Sequence, residues 1–185
     1  MELLNSLVGQ INDILWSYVL IILLIGAGII FTIRTKFVQI RFIKEMIRLI
    51  AGDAGNKMEG QQISSFQAFC VSTASRVGVG NIAGIAIAVV LGGPGAIFWM
   101  WIIAILGSAT GFVESTLAQI YKVPRTDSNG YLGGPAYYIN NALHSPKTAV
   151  FFAILISVTY GLIFNSVQSN TISLSLQTAF NFDAT

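Results

Sequence analysis

Long apolar runs separated by short polar segments dominate the hydrophobic pattern of this 185-residue chain. The first run, residues 14–33, is uncharged, and at a rise of about 1.5 Å per residue a helix of this length covers about 30 Å, one hydrocarbon thickness. Further apolar runs at 63–91, 96–121 and 148–171 are typical of membrane spans. The pattern therefore predicts an all-α integral membrane protein with about four transmembrane helices in one domain, residues 1–185.

The segments between the predicted spans carry most of the charge. In residues 37–51, isoleucines recur at helical spacing with basic residues between them, which predicts an amphipathic helix. This helix lies on the inner membrane surface, extends the first span or packs on the protein's own cytoplasmic face. Residues 122–147 contain prolines and the turn "DSNG" and predict a structured cytoplasmic loop. The basic excess after the first span places the N-terminus outside.

The composition narrows the classes of function. Charged residues make up 10% of the chain, against about 25% in soluble domains, which places it among membrane proteins in contact with a lipid bilayer. The net charge of +2 does not indicate nucleic-acid binding, because the basic residues flank apolar spans as topology signals do. A single cysteine, Cys70, excludes an intrachain disulfide. The sequence does not place a Ser, His and Asp set or a pair of carboxylates at one membrane depth, so we expect neither an enzyme nor a cofactor.

The second apolar run, 63–91, contains "STASRVGVGNIAG" near its centre and is too long for one straight helix. Each glycine weakens a helix by about 1 kcal/mol relative to alanine, and Asn81 competes for backbone hydrogen bonds. We therefore expect a break near the middle of this span. The carbonyls before the break, in the region of Thr73, Arg76 and Val77, would attract a cation such as sodium. The amides after it would attract an anion, so a zwitterionic amino acid fits the pair.

Two alternatives concern the same residues. Gly80-x-x-x-Gly84, like Gly107-x-x-x-Gly111, is also typical of helix packing, and a continuous second span would indicate an oligomerising membrane scaffold or a channel subunit. Placing the charged side chain of Arg76 within a membrane costs free energy. Arg76 either forms a structural ion pair with Glu114, which lies at a similar depth, pairs with residues outside this chain, or contacts substrate directly.

Three motifs, "RVGVGNIAGIA", "LGGPGAIFWMW" and "GGPAYYI", follow one another in this order, and "QSN" stands at 168–170. In these motifs and their spacing the chain resembles the sodium:alanine symporter family. The resemblance implies a sodium-coupled carrier of alanine, glycine or a similar small amino acid such as glutamine. It also implies the N-terminal portion of a leucine-transporter-like inverted-repeat fold and the cell membrane of a bacterium or archaeon.

The resemblance also implies which residues bind. Substrate and ion would be held by the segment at the break, with two polar residues of the fourth span as secondary candidates: Gly78, Val79, Gly80, Asn81, Gln168 and Asn170. Val79 stands where the family commonly has threonine, so a hydroxyl that could touch substrate is missing. Family members are much longer, and we therefore expect this chain to be a fragment that is inactive without the rest of the transporter.

Overall fold

The computed structural model describes residues 2–52, 63–126 and 130–180. Within these ranges the chain is helical, apart from one hairpin of two-residue strands and the connecting turns. The helices are α1 (Glu2–Ile14), α2 (Leu20–Arg34), α3 (Val38–Arg41), α4 (Ile43–Gly52), α5 (Ser65–Arg76), α6 (Ala83–Gly92), α7 (Gly95–Ile120), α8 (Pro135–Leu143), α9 (Pro146–Val158) and α10 (Phe164–Phe180). Single π-helical turns, Leu15–Val19 and Thr159–Ile163, join α1 to α2 and α9 to α10.

Three helices of the described ranges are long and apolar enough to cross a membrane: Asn5–Arg34, Gly95–Ile120 and Pro146–Phe180. A fourth span results if the pair Ser65–Arg76 and Val79–Gly92 counts as one, although its two halves are bent by 82°. Over the described ranges, the structure thus confirms the predicted helical class, with three or four candidate membrane spans and a bent pair of helices where the sequence predicted a broken second span. The first and last of these helices extend beyond the apolar runs seen in the sequence.

The first and third spans pack closely where α2 meets α7. A Cβ atom added to Gly28 would lie 2.9 Å from Cβ of Leu106 and 3.3 Å from its carbonyl oxygen. Ala109, one helical turn further along α7, is completely buried. Small residues let two helix backbones approach in a membrane, where van der Waals packing replaces the hydrophobic effect as the driving force. Gly28 therefore sets the spacing of these helices.

A tight turn after the first span redirects the chain into α3 and α4. Lys36 and Phe37 both adopt left-handed conformations (φ 54° and 56°), which are uncommon for residues with a side chain. The turn is held by the Phe37 amide, which donates to the Thr32 carbonyl at 2.9 Å, and by Gln39 Nε2, which donates to Thr32 Oγ1 at 3.0 Å. Val38 is buried behind it. These contacts fix where α4 starts.

The connection between the third and fourth spans carries regular structure. Strands β1 (Val123–Pro124) and β2 (Tyr131–Leu132) pair antiparallel, and α8 follows. Gly133 lies so close to the end of α7 that an added Cβ would be 2.8 Å from the Ala118 carbonyl oxygen. Lys122 Nζ lies 4.6 Å from the centre of the Tyr131 ring. The hairpin is therefore docked on α7, and its place in the cytoplasm stays a prediction.

Candidate functional site

The break in the second span begins where α5 ends at Arg76. Val77 (φ −84°, ψ 121°) and Gly78 (φ −148°, ψ 179°) are extended, and a single 3₁₀ turn over Val79–Asn81 leads into α6. Extended backbone forms no helical hydrogen bonds, so peptide groups on both sides lose their usual partners. The sequence prediction of a break near Gly78 is confirmed.

On the first side of the break, backbone carbonyls are left without hydrogen-bond donors. Across the described ranges, none is found for the carbonyls of Ala74, Ser75 and Val77. The Arg76 carbonyl accepts a bond of 2.9 Å from Asn81 Nδ2. Asn81 therefore ties the end of α5 to the turn that follows, while the neighbouring carbonyls keep the partial negative charge of a helix C-terminus.

On the other side, the first turn of α6 presents free amides. Ile82, at the N-cap, makes no side-chain cap, and the Ala86 amide donates back to the Ile82 carbonyl at 3.1 Å. In the part of the chain that the structure describes, the amides of Ala83, Gly84 and Ile85 have no acceptor. An uncapped helix N-terminus of this kind attracts negative charge.

Gln168 on α10 reaches across to the break. Its Oε1 accepts a hydrogen bond of 3.0 Å from the Val79 amide. Its Nε2 lies only 2.8 Å from the position that a Cβ of residue 78 would take. Glycine at position 78 leaves room for this close approach. Gln168 therefore lies beside the segment at the break, which the sequence also indicated as a binding segment.

The break and α10 together enclose a cavity of about 350 Å³. Ligand pockets start at about 300 Å³, so the volume admits a small molecule. The walls contain both polar ends of the broken helix and one face of α10, and they are formed by Ser75, Arg76, Val77, Gly78, Val79, Gly80, Asn81, Ala83, Gly84, Ile87, Phe164, Val167, Gln168 and Thr171.

Sequence reasoning missed the α10 wall apart from Gln168. Together with Gln168, these wall residues have the i, i+3, i+4, i+7 spacing of one helix face: Phe164, Val167 and Thr171. Once Gln168 is a candidate, this spacing in the sequence predicts which neighbouring side chains lie beside it. Two apolar side chains among these wall residues give the cavity a side that does not compete for hydrogen bonds.

Other candidate residues are not gathered in this cavity. Asn170 lies on a different face of α10 and lines a separate, open cavity with Asn165 and Ser166. Thr73 is not part of the lining, and its carbonyl accepts from the Val77 amide at 3.2 Å. Thr73 and Asn170 therefore lie outside the lining of the cavity at the break, and their roles in binding stay predictions.

The structure does not form an ion pair between Arg76 and Glu114. Both side chains are exposed, and within the described ranges the one salt bridge joins Arg48 to Glu45. A partner for Arg76 outside this chain stays a prediction. The helix-packing alternative is not supported by a contact, because among the described residues nothing lies within 4 Å of a Cβ placed on Gly80 or on Gly84.

Membrane spans interrupted between two half-helices are found in many secondary transporters. Comparison with known proteins agrees: the sequence model of the sodium:alanine symporter family matches residues 1–185. The chain belongs to this family. It is thus a member of a transporter family and not of an enzyme family.

Several named relatives are similar to this chain over nearly its whole length. The probable sodium/glutamine symporter GlnT of Bacillus subtilis (strain 168) is 58% identical across 97% of the chain. The amino-acid carrier protein AlsT of the same organism is 52% identical across 96%, and the sodium/alanine symporter AgcS of Methanococcus maripaludis is 37% identical across 96%. The chain spans 37% of the length of GlnT and AlsT and 40% of AgcS.

Proposed function

We propose that this chain supplies part of the substrate and ion site of a sodium-coupled symporter for a small neutral amino acid such as alanine, glycine or glutamine. Membership of the sodium:alanine symporter family supports the class of transport. The relatives' names mention glutamine and alanine as substrates of those proteins. The proposed place of binding is the cavity at the break in the second span.

One observation carries the proposal: backbone carbonyls and amides that have no hydrogen-bond partner within residues 2–52, 63–126 and 130–180 belong to residues on both sides of the break that line one cavity. The carbonyls of Ser75 and Val77, two residues that line the cavity, provide hard oxygen atoms for sodium and for the substrate ammonium group. The amides at the start of α6 provide donors for the substrate carboxylate. Opposite partial charges on two sides of a small cavity match a zwitterion better than an ion of either sign.

Gln168 and Val79 would adjust how well the substrate fits the cavity. Gln168 Oε1 is engaged with the Val79 amide, while Nε2 donates no hydrogen bond within residues 2–52, 63–126 and 130–180 and is free to donate to a carboxylate. The Val79 side chain has no hydroxyl. We therefore expect the substrate to be oriented by backbone groups and by Gln168, with little contribution from a polar side chain at 79.

The cellular setting follows from the same class. We place the protein in the cell membrane of a bacterium or archaeon as a multi-pass protein, with the N-terminus outside because basic residues follow the first span. The further partners are sodium, the amino-acid substrate and the parts of the transporter that correspond to the remainder of the longer relatives. Those parts would complete the walls of the cavity.

Uptake into proteoliposomes tests the proposal. A chimera carries this chain in place of the matching 37% of B. subtilis GlnT and is reconstituted into proteoliposomes. An inward sodium gradient is imposed across the vesicle membrane, and uptake of labelled alanine, glycine and glutamine is measured. We expect uptake that collapses without sodium. Gly80→Leu, which fills the open cavity, should abolish most of it.

Gly9→Leu is the matched control, because Gly9 also has nothing within 4 Å of an added Cβ and lies far from the break in sequence. This variant should keep uptake near that of the unmodified chimera. Uptake that survives Gly80→Leu would refute the site, and uptake that is indifferent to sodium would refute the coupling.

A further inference from the structure

Basic side chains cluster on the segment that follows the first span, residues 34–52, here called the juxtamembrane segment. It contains five Lys or Arg residues against one acidic residue, Glu45, and Glu45 is already paired with Arg48. All five basic side chains are exposed: Arg34, Lys36, Arg41, Lys44 and Arg48. A strong positive charge therefore lies at one end of an apolar span.

Helix α4 within this segment separates charge from apolar surface. At about 100° per residue, Ile43, Met46 and Ile47 fall on one side, while Lys44 and Arg48 fall on the other. The described parts of the chain cover these apolar side chains only in part: Ile43 is 50%, Met46 41% and Ile47 63% exposed. The exposed apolar side of α4 favours contact with an apolar neighbour, and its basic side favours contact with an anionic neighbour.

The position of α4 is fixed by the turn at Lys36 and Phe37. The left-handed pair and the buried Val38 hold this turn against Thr32 at the end of α2. Because the candidate span Asn5–Arg34 ends just before this turn, α4 follows soon after the end of that span. Phe37 and Phe42, beside this turn in sequence, are 54% and 38% exposed and add apolar surface to the juxtamembrane segment.

We propose that the juxtamembrane segment binds the anionic headgroups of a phospholipid bilayer, with the apolar side of α4 among the upper acyl chains and its basic side among the phosphates. Charge complementarity selects this occupant. Basic clusters directly beside a span or on an amphipathic helix recognise anionic lipid, and each charge near the surface strengthens binding about fivefold. A covering protein segment would satisfy the apolar face but would leave the basic excess without a counterpart.

Quenching of a site-specific fluorophore tests the proposal in the full-length chimera. Ile47→Cys in a Cys70→Ser background gives a single labelling site within this chain, and cysteines of the GlnT portion are replaced as well. Vesicles of phosphatidylcholine contain equal fractions of acyl-spin-labelled phosphatidylglycerol or acyl-spin-labelled phosphatidylcholine. We expect stronger quenching by the anionic lipid. Raising the salt from about 0.1 M to about 1 M, which shortens the Debye length from about 10 Å to about 3 Å, should remove most of the difference.

The triple variant Arg41→Gln, Lys44→Gln and Arg48→Gln should lower the preference for phosphatidylglycerol by about fivefold per charge. The control removes Lys122 and Arg125 instead and should leave the preference unchanged. Circular dichroism checks that each variant is folded, and the salt titration needs no variant at all. Equal quenching by both lipids would overturn the proposal, and so would an absence of quenching by either, which would place a protein segment over Ile47.

Discussion

Gln168 Oε1 accepts a hydrogen bond of 3.0 Å from the backbone amide of Val79, although 89 residues separate the two. Val79 lies in the one turn of the second span where helical bonding is interrupted. A peptide group at membrane depth must be satisfied by protein or by water in a cavity. The glutamine therefore stabilises the break and at the same time forms a wall of the cavity beside it.

Replacement of Gln168 by alanine should impair both roles. Loss of the acceptor leaves the Val79 amide unpaired, at a cost of about 1–3 kcal/mol. We expect Gln168→Ala to lower sodium-dependent uptake by the chimera by raising KM. The control is Asn170→Ala on the same helix, because Asn170 faces away from the break. An equal loss in both variants would contradict the separation of these faces.

Gly78→Ala should act through the same hydrogen bond. Gly78 is extended, a conformation open to any residue, so the substitution brings no backbone strain. Its Cβ would lie 2.8 Å from Gln168 Nε2, and the flexible glutamine must withdraw, which releases Val79. We expect Gly78→Ala to reproduce the effect of Gln168→Ala on KM.

The double variant of Gly78→Ala and Gln168→Ala should be little worse than either single variant, because both remove one shared interaction. Gly80→Ala, with open space around its Cβ, is the control and should change KM much less. Fully additive effects of the two substitutions would show that Gly78 and Gln168 contribute independently.

The location of the break was predictable because its causes are local. Two glycines and Asn81 weaken a helix wherever they occur in a span. The bend of 82° was not predictable, because an interhelical angle depends on which side chains meet across space.

Helix periodicity explains why only one of two neighbouring candidates reached the cavity. Residues two apart on a helix point about 200° away from each other, so Gln168 and Asn170 cannot share a face of α10. Arg76 and Glu114 were matched in depth along their helices. Depth does not determine the direction in which a side chain leaves its helix, and the two side chains do not meet.

The crossing of α2 and α7 yields a prediction about stability. Gly28→Ala places a Cβ 2.9 Å from Cβ of Leu106 and 3.3 Å from a backbone oxygen, so a helix must shift. Overpacking of this kind costs about 1–3 kcal/mol. Thermal unfolding in detergent should show a lower Tm for Gly28→Ala than for the unmodified chain.

Gly26→Ala is the control at this crossing, since an added Cβ at Gly26 meets nothing within 4 Å. Alanine is the better helix former by about 1 kcal/mol, so Gly26→Ala should preserve or raise the Tm. A decrease in Tm of the same size at both positions would argue against close packing at Gly28.

Tyr138 on α8 provides a prediction in pH. Burial, and secondarily the negative charge of Glu114, raises the pKa of the Tyr138 phenol above its ordinary value of 10.0. The folded state therefore favours the neutral phenol. This contribution to stability is fully present below pH 10 and is lost as the pH rises through the raised pKa.

The tyrosinate absorbance of the intact chain minus that of Tyr138→Phe should isolate this titration. In a Glu114→Gln background the pKa of Tyr138 should fall but remain above 10.0, because burial is the larger cause. A pKa that returns fully to 10.0 would mean that the carboxylate, and not the packing of α8 against α7, controls this tyrosine.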